Sequence, residues 1–432
     1  MIVGNMVDQL LKDVPIPRFF KVKQHFERPV LDRNDIPGAI HRMLSEEIFT
    51  SQLKPGMSVA ITAGSRGVSN IDVITKAVVD FCLSMGTKPF IIPAMGSHGG
   101  ATAEGQRAIL AGYGITEETM GCPVRATMET VKIGETEDGR DVFIDRFASE
   151  ADGIVLINRV KLHTCFRGEY ESGLIKMMAI GLAKQHGAEM CHDQGFKYMA
   201  KNIVVFGKAI LKNAPILFGV ATLENAYDET SEVVALNHDE ILNQEPDLLR
   251  KAAVQMPNIM VDSCDLLIVD EIGKNYSGDG MDPNITGTFA TPYASGGLQH
   301  KECCVLGVSR SSHGNGTGLG MARATTRAVV DGLDLEAMYT NGITAKVLRH
   351  NYIPCIMDSD RRAIQICLKI CEELDPEKPY IVRIPNSLHI GEIQLSEAYW
   401  EEAHRIPGME VISEPEELPF DENGNLTDRF QS

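Results

Sequence analysis

Two kinds of apolar pattern alternate along the first half of the chain. Residues 57–63 (MSVAITA) form a mostly apolar run that stops at GSRG, 64–67, which reads as a buried strand and a turn. Residues 71–86 then place apolar side chains three and four apart, with Asn70 at the N-cap position and Gly86 at the end, the marks of an amphipathic helix. The pattern repeats as a strand at 88–94, the glycine loop GSHGG at 96–100 and a helix over 101–114. A third unit runs from a strand at 151–158 through the polar loop RVKLHTCFRGEYESG into the helical stretch LIKMMAIGLAKQ. Residues 210–220 (ILKNAPILFGV) read as an apolar helix. Strand, loop and helix in succession predict an α/β fold with mostly parallel sheets flanked by helices. In such sheets the chemistry sits at the carboxyl ends of the strands.

The pattern resets at residues 256–258, and 264–270 opens another strand. Residues 275–300 form a long polar loop, 321–337 a helical pattern, 353–358 a strand and 361–374 a helix. The Glu-, Pro- and Asp-rich C-terminal stretch reads as a peripheral tail. Two α/β domains are expected, 1–258 and 259–432, with an active site in the cleft between them.

Composition narrows the function. The chain has 432 residues, 44% hydrophobic and 23% charged, the balance of a globular protein. Its 41 basic against 59 acidic side chains give a formal charge of −18, which disfavours binding to nucleic acid or to an anionic membrane surface. No run approaches the ~20 apolar residues of a spanning helix, and the N-terminus lacks the basic start of a signal peptide. Ten cysteines without a CxxC pair read as buried thiols in a reducing, cytoplasmic setting.

Four histidines stand out: His98, His163, His186 and His192. His98 lies between glycines, which turn the backbone sharply and leave the imidazole uncrowded. His163 follows the 151–158 strand, with Lys161 and Arg167 nearby. Each is either a plain loop histidine or a base able to exchange protons near neutral pH, and placement after successive strands of one sheet favours the second reading. Lys176, among Leu174, Ile175, Met177 and Met178, either snorkels to solvent or is a desolvated amine suited to covalent attachment. His98, His163 and His192 match no compact zinc spacing. The glycine run at 314–320 follows a polar SRSSH segment and reads as a flexible loop in preference to a dinucleotide-binding turn.

Taken together, GSRG at 64–67, GSHGG at 96–100, VKLHTCFRGEYESGLIKMM at 160–178 and GAEMCH at 187–192 resemble the lactate racemase superfamily of nickel-pincer-nucleotide enzymes. The resemblance spans roughly residues 55–195. It implies that His98 and His163 are the acid/base pair, that Lys176 holds the pincer nucleotide, that His192 binds nickel and that Arg66 holds the substrate carboxylate. The departures are equally specific. The family's acidic residue near the arginine motif falls on Ala63, glycines replace Arg-Pro around His98, and Trp400 lies too near the C-terminus to match the family's tryptophan. The segment GKNYSGDGMDPNITGT offers Lys274 as a further substrate contact, and its polar groups Asn275, Asp279, Asp282, Asn284 and Thr286 suit a sugar acid better than lactate.

The resulting expectation is a racemase or epimerase inverting C2 of a small-molecule 2-hydroxy acid, dependent on cofactor-synthesis enzymes and compatible with a homo-oligomer. Two rivals stand beside it: a zinc-dependent hydrolase or lyase using His98, His163 and His192, and a non-enzymatic hydroxy-acid sensor.

Overall fold

The computed structural model describes residues 5–65 and 67–431, so the position assigned to Arg66 lies outside the described residues. The chain divides into two compact units, residues 27–256 and a second made of residues up to 26 together with those from 257 onward.

The first unit holds a five-stranded sheet in the order Lys88–Pro93, Ser58–Ala63, Gly153–Arg159, Ile216–Glu224, Thr230–Asn237. The first four strands are parallel and the last is antiparallel to its neighbour. Both faces are covered, so the strands read as unbroken apolar runs. Ala60 and Leu156 face a core with Leu174, Ile175 and Phe206, while Val59, Ile61, Val155 and Ile157 face another with Ile74 and Val78. The predicted helix is found at Ile71–Ser84, ended by Gly86 at φ +74°. Asn70 occupies its N-cap position but does not cap it. Its side chain accepts from Arg33 and donates to Thr230, both at 2.9 Å.

Three segments differ from expectation. Residues 210–220 are the end of helix Met199–Asn213 and the start of strand Ile216–Glu224. Pro215 causes the break, because it lacks an N–H and forces Ala214 into extended backbone. The 174–185 stretch is not a plain α-helix. A short turn at Leu174–Lys176 widens into a π-helix, Met177–Leu182, before helix Lys184–His192. An antiparallel hairpin, Thr130–Glu135 with Asp141–Asp145, had no clear signal.

The second unit carries an eight-stranded sheet, ordered Cys355–Met357, Ala324–Thr326, Gln299–Val305, Ser263–Val269, Ile381–Ile384, Glu392–Ser396, Phe19–Gln24, Met409–Val411. Its first five strands are parallel, and the remaining pairings are antiparallel. Residues 19–24 therefore belong with this unit, not with the 1–258 domain. The helical pattern expected at 321–337 is broken into strand Ala324–Thr326, helix Arg327–Asp331 and the start of helix Leu335–Ala345. The glycine run at 314–320 follows a short 3-10 turn and forms a loop.

The C-terminal stretch is anchored, not peripheral. Arg429 donates to the Leu306 carbonyl at 2.5 Å and pairs with buried Asp360 at 3.2 Å, while the Phe430 N–H reaches Asp270 at 3.0 Å. Buried carboxylates need such partners, and the tail supplies them. All ten cysteines are free thiols, Cys355 alone of them exposed. Among the described residues no helix is long and apolar enough to cross a membrane.

Candidate active site

Three loops at the carboxyl ends of neighbouring strands build the site. The first, after Ser58–Ala63, carries Ser65, whose hydroxyl meets Nδ1 of His98 and whose carbonyl accepts from the Tyr113 hydroxyl at 2.7 Å. The second is the GSHGG loop. Gly99 adopts φ +68°, and a Cβ there would lie 2.6 Å from the Gln106 nitrogen, so only glycine lets the loop sit this close to helix Ala103–Gly112. The result is an exposed His98 imidazole on a tightly held backbone. That loop also bonds to the π-helix, Gly96 N–H to the Gly181 carbonyl at 3.3 Å.

The third loop, residues 160–173, holds His163. Its N–H donates to buried Glu171 at 2.6 Å and its carbonyl accepts from Arg167 at 2.6 Å. Nδ1 accepts the Cys165 N–H at 3.0 Å, so the neutral ring carries its proton on Nε2. The imidazole stacks on Phe166 at 4.3 Å between ring centres. Burial pushes the Glu171 carboxyl up, against the His163 N–H, Arg167 and the charge of Lys176, which pull it down.

Lys176 is half-buried at the end of Leu174–Lys176, where the backbone widens into the π-helix. Wide turns of this kind are frequent at functional sites. Two groups from distant elements set the turn. Asn158 donates to the Gly173 carbonyl at 2.6 Å, and the fully buried Glu245 accepts the Ile175 N–H at 3.0 Å. Burial lifts the Glu245 carboxyl to about 8, against the backbone N–H groups of Ile175 and Leu174. A Cβ on Gly173 would fall 2.3 Å from Glu245 Oε1, so packing demands glycine there.

His192 ends helix Lys184–His192, half-buried, with its ring edge-on to Phe196 at 5.8 Å. The His163 ring lies 6.3 Å from the same phenyl. Next to His192, the buried Cys191 thiol is pushed up to about 12 by burial, and the charges of Arg140 and Lys176 oppose that shift. Glu171 and Cys191 thus both feel Lys176, one of them bonded to His163 and the other adjacent to His192. Phe196 thus lies against both the His163 and the His192 rings, and the His98 loop is bonded to the π-helix at Gly181.

The other candidates have contacts of their own. His186 is exposed and packs edge-on against Phe143 at 4.5 Å. Lys274 belongs to the second unit, where its amine donates to the Gly278 carbonyl at 2.6 Å. Trp400 packs on Phe20 at 5.0 Å. Several loop groups credited to a hydroxylated substrate bond within the second unit instead. Asp282 accepts from Asn284 N–H at 2.9 Å, Thr286 donates to the Asp282 carbonyl at 3.0 Å, and Asn275 accepts from Ser309 at 2.5 Å. Among the described residues no group of three or more His, Cys, Asp or Glu side chains is set to hold a metal ion, so His98, His163 and His192 do not assemble a protein-only zinc centre.

Sequence reasoning missed Glu171, Glu245 and Lys184. The last is wholly buried and donates to the Pro93 carbonyl and to Gln106 Oε1, both at 2.7 Å. Its one legible signal was a second lysine in the apolar run that holds Lys176.

Residues 22–202 match the family model described as the lactate racemase N-terminal domain. No curated protein matches the chain. Similar solved structures include the lactate racemase apoprotein from Thermoanaerobacterium thermosaccharolyticum, 14% identical with a TM-score of 0.48, covering 80% of this chain and 81% of that one. Another is a protein from Thermotoga maritima, 13% identical with a TM-score of 0.47, covering 76% of this chain and 84% of that one.

Proposed function

We propose that this chain, whose residues 22–202 match the lactate racemase N-terminal domain model, is a racemase or epimerase that inverts C2 of a 2-hydroxy acid with a nickel-pincer nucleotide held at Lys176 and His192. The observation that supports this reading is Phe196 set against both the His163 and the His192 rings, with Glu171, bonded to His163, and Cys191, next to His192, both within reach of the Lys176 charge.

The donor set suits the group. A primary amine half-buried beside Leu174, Ile175, Met177 and Met178 fits attachment of an organic cofactor. The His192 imidazole is a donor type that nickel takes, with further donors supplied by such a cofactor. When bound, the group supplies a carbon that accepts a hydride from C2 and returns it.

The side chains supply the rest. One imidazole removes the hydroxyl proton as C2 is oxidised, and the other delivers a proton on the opposite face once the keto acid has turned. One base per enantiomer is what the inversion requires, and His98 and His163 are assigned these roles. At His163 the neutral ring offers Nε2–H, a donor to the substrate oxygen. Taking a proton there requires the tautomer to invert and the Cys165 N–H to be released. Arg66 is assigned the substrate carboxylate, a bidentate grip that restricts motion to the reacting carbon, and Lys274 a further substrate contact.

The test is co-expression with the cofactor-synthesis enzymes, followed by intact-mass and nickel analysis and a circular-dichroism screen of 2-hydroxy acids. An adduct mapped to Lys176, with nickel and racemisation, is expected. Turnover without adduct or nickel overturns the cofactor assignment, and a loaded protein that racemises no 2-hydroxy acid overturns the substrate class.

A further inference from the structure

Lys184 is a buried cation that the proposed chemistry does not use. It is fully inaccessible, as are Gln106 and Asp145, and its backbone sits at φ +56°, a left-handed conformation that a side chain normally disfavours. Its ammonium donates to the Pro93 carbonyl and to Gln106 Oε1, both at 2.7 Å, and forms an ion pair with the Asp145 carboxylate at 3.3 Å. Pro93 ends the strand that leads into the His98 loop, and Lys184 opens the helix that ends in His192.

The orientation of the Gln106 amide follows from this. Lys184 can only donate, so it takes the amide oxygen and leaves the NH2 group facing the other way. That NH2 donates to the Gly96 carbonyl at 2.9 Å and the His98 carbonyl at 3.2 Å. A glutamine held the other way would set oxygen against both carbonyls. The ammonium therefore determines, through one amide, whether the loop carrying His98 is tied down.

We propose that Lys184 and Gln106 form a positioning relay that fixes the His98 backbone relative to the helix bearing His192. The relay deepens the racemase reading and rests on it only for the role of His98. Lys184 and Gln106 are positioning residues, since both act through the loop.

Gln106→Glu separates the two halves of the relay. The carboxylate keeps its bond from Lys184 but has no hydrogen to offer Gly96 and His98, whereas protonation returns one. Gln106→Leu removes both halves and serves as the control should the buried acid prevent folding. The readout is hydrogen–deuterium exchange on the full chain, corrected for intrinsic rates, which needs neither cofactor nor turnover. The expected result is exchange about tenfold or more faster at residues 96–101 in both variants, with helix Met199–Asn213 unchanged. In Gln106→Glu alone, protection should return as the pH falls. Unchanged protection of 96–101 in both variants would overturn the relay, as would a uniform loss across the whole unit, which would make the pair a packing element only. An unmodified Lys176 or an inactive wild type would sink the racemase reading and leave this measurement intact.

Discussion

Glu245 accepts the backbone N–H of Ile175 across 3.0 Å, immediately before Lys176. The acceptor comes from helix His238–Gln255, at the residue preceding Pro246. Proline has no N–H, so the Leu242 carbonyl loses its partner within the helix, and the Tyr170 hydroxyl takes that place at 2.5 Å. One proline-containing turn thus holds the third loop twice, at Tyr170 and at the start of the Lys176 turn.

Burial raises the Glu245 carboxyl from its usual 4.5 to about 8. The folded state therefore binds this proton more tightly than the unfolded chain does. The resulting stabilisation is complete below pH 4.5 and is lost as pH rises through 8. Wild-type protein should lose on the order of several kcal/mol relative to Glu245→Gln between pH 5 and 9. Urea melts of the two proteins across that range measure it, and parallel curves would show that Glu245 does not titrate as described.

Tyr170→Phe removes the hydroxyl that donates to the carbonyl left open by Pro246. It should cost about 1–3 kcal/mol, the price of a buried acceptor without a donor. A denaturation midpoint equal to wild type would mean that water reaches Leu242.

Gly173→Ala places a methyl 2.3 Å from Glu245 Oε1. A loss of roughly 1–3 kcal/mol is expected, with most of it absent when the same substitution is made in a Glu245→Ala background. Strict additivity in that double-mutant cycle would place the strain elsewhere.

Much of the first unit was legible because parallel strands covered on both faces are written as apolar runs punctuated by glycine. His98 and His163 stood out as histidines after strand ends, whereas Lys176 and His192 were singled out with them through the family resemblance. The N-terminal strand Phe19–Gln24 was not, because its partners Glu392–Ser396 and Met409–Val411 lie at the far end of the chain. Pro215 did carry a usable signal, and weighing it would have separated the helix from the strand at 210–220. Glu245 had none, and Lys184 only its place in an apolar run. A charged residue in an amphipathic stretch normally marks the solvent side, and only three-dimensional packing shows that these two point inward.

His98→Ala and His163→Ala should each keep the cofactor adduct at Lys176 while racemisation falls on the order of 100- to 10,000-fold. Intact mass and circular dichroism on the same preparations give both numbers. Wild-type turnover in either variant would remove that imidazole from the chemistry.

Arg429→Leu should destabilise the second unit by about 3–5 kcal/mol, because Asp360, almost wholly buried, loses its cation. Burial raises the Asp360 carboxyl and Arg429 opposes that, so Asp360→Asn should recover part of the loss. No recovery in the double variant would assign the tail's contribution to the Arg429 bond with Leu306.

The π-helix at Met177–Leu182 also sets a phase. Its ladder closes five residues on, so it accommodates one residue more per turn than an α-helix would. Closing the stretch as ordinary α at its full length would leave one residue over and swing Lys176 by about 100° relative to everything beyond Leu182, whereas removing that one residue would largely keep the phase. Conservative exchanges within this stretch preserve the amine's aim as long as volume is respected. A change that tightened all six residues into an α turn, however innocuous in composition, would turn it away.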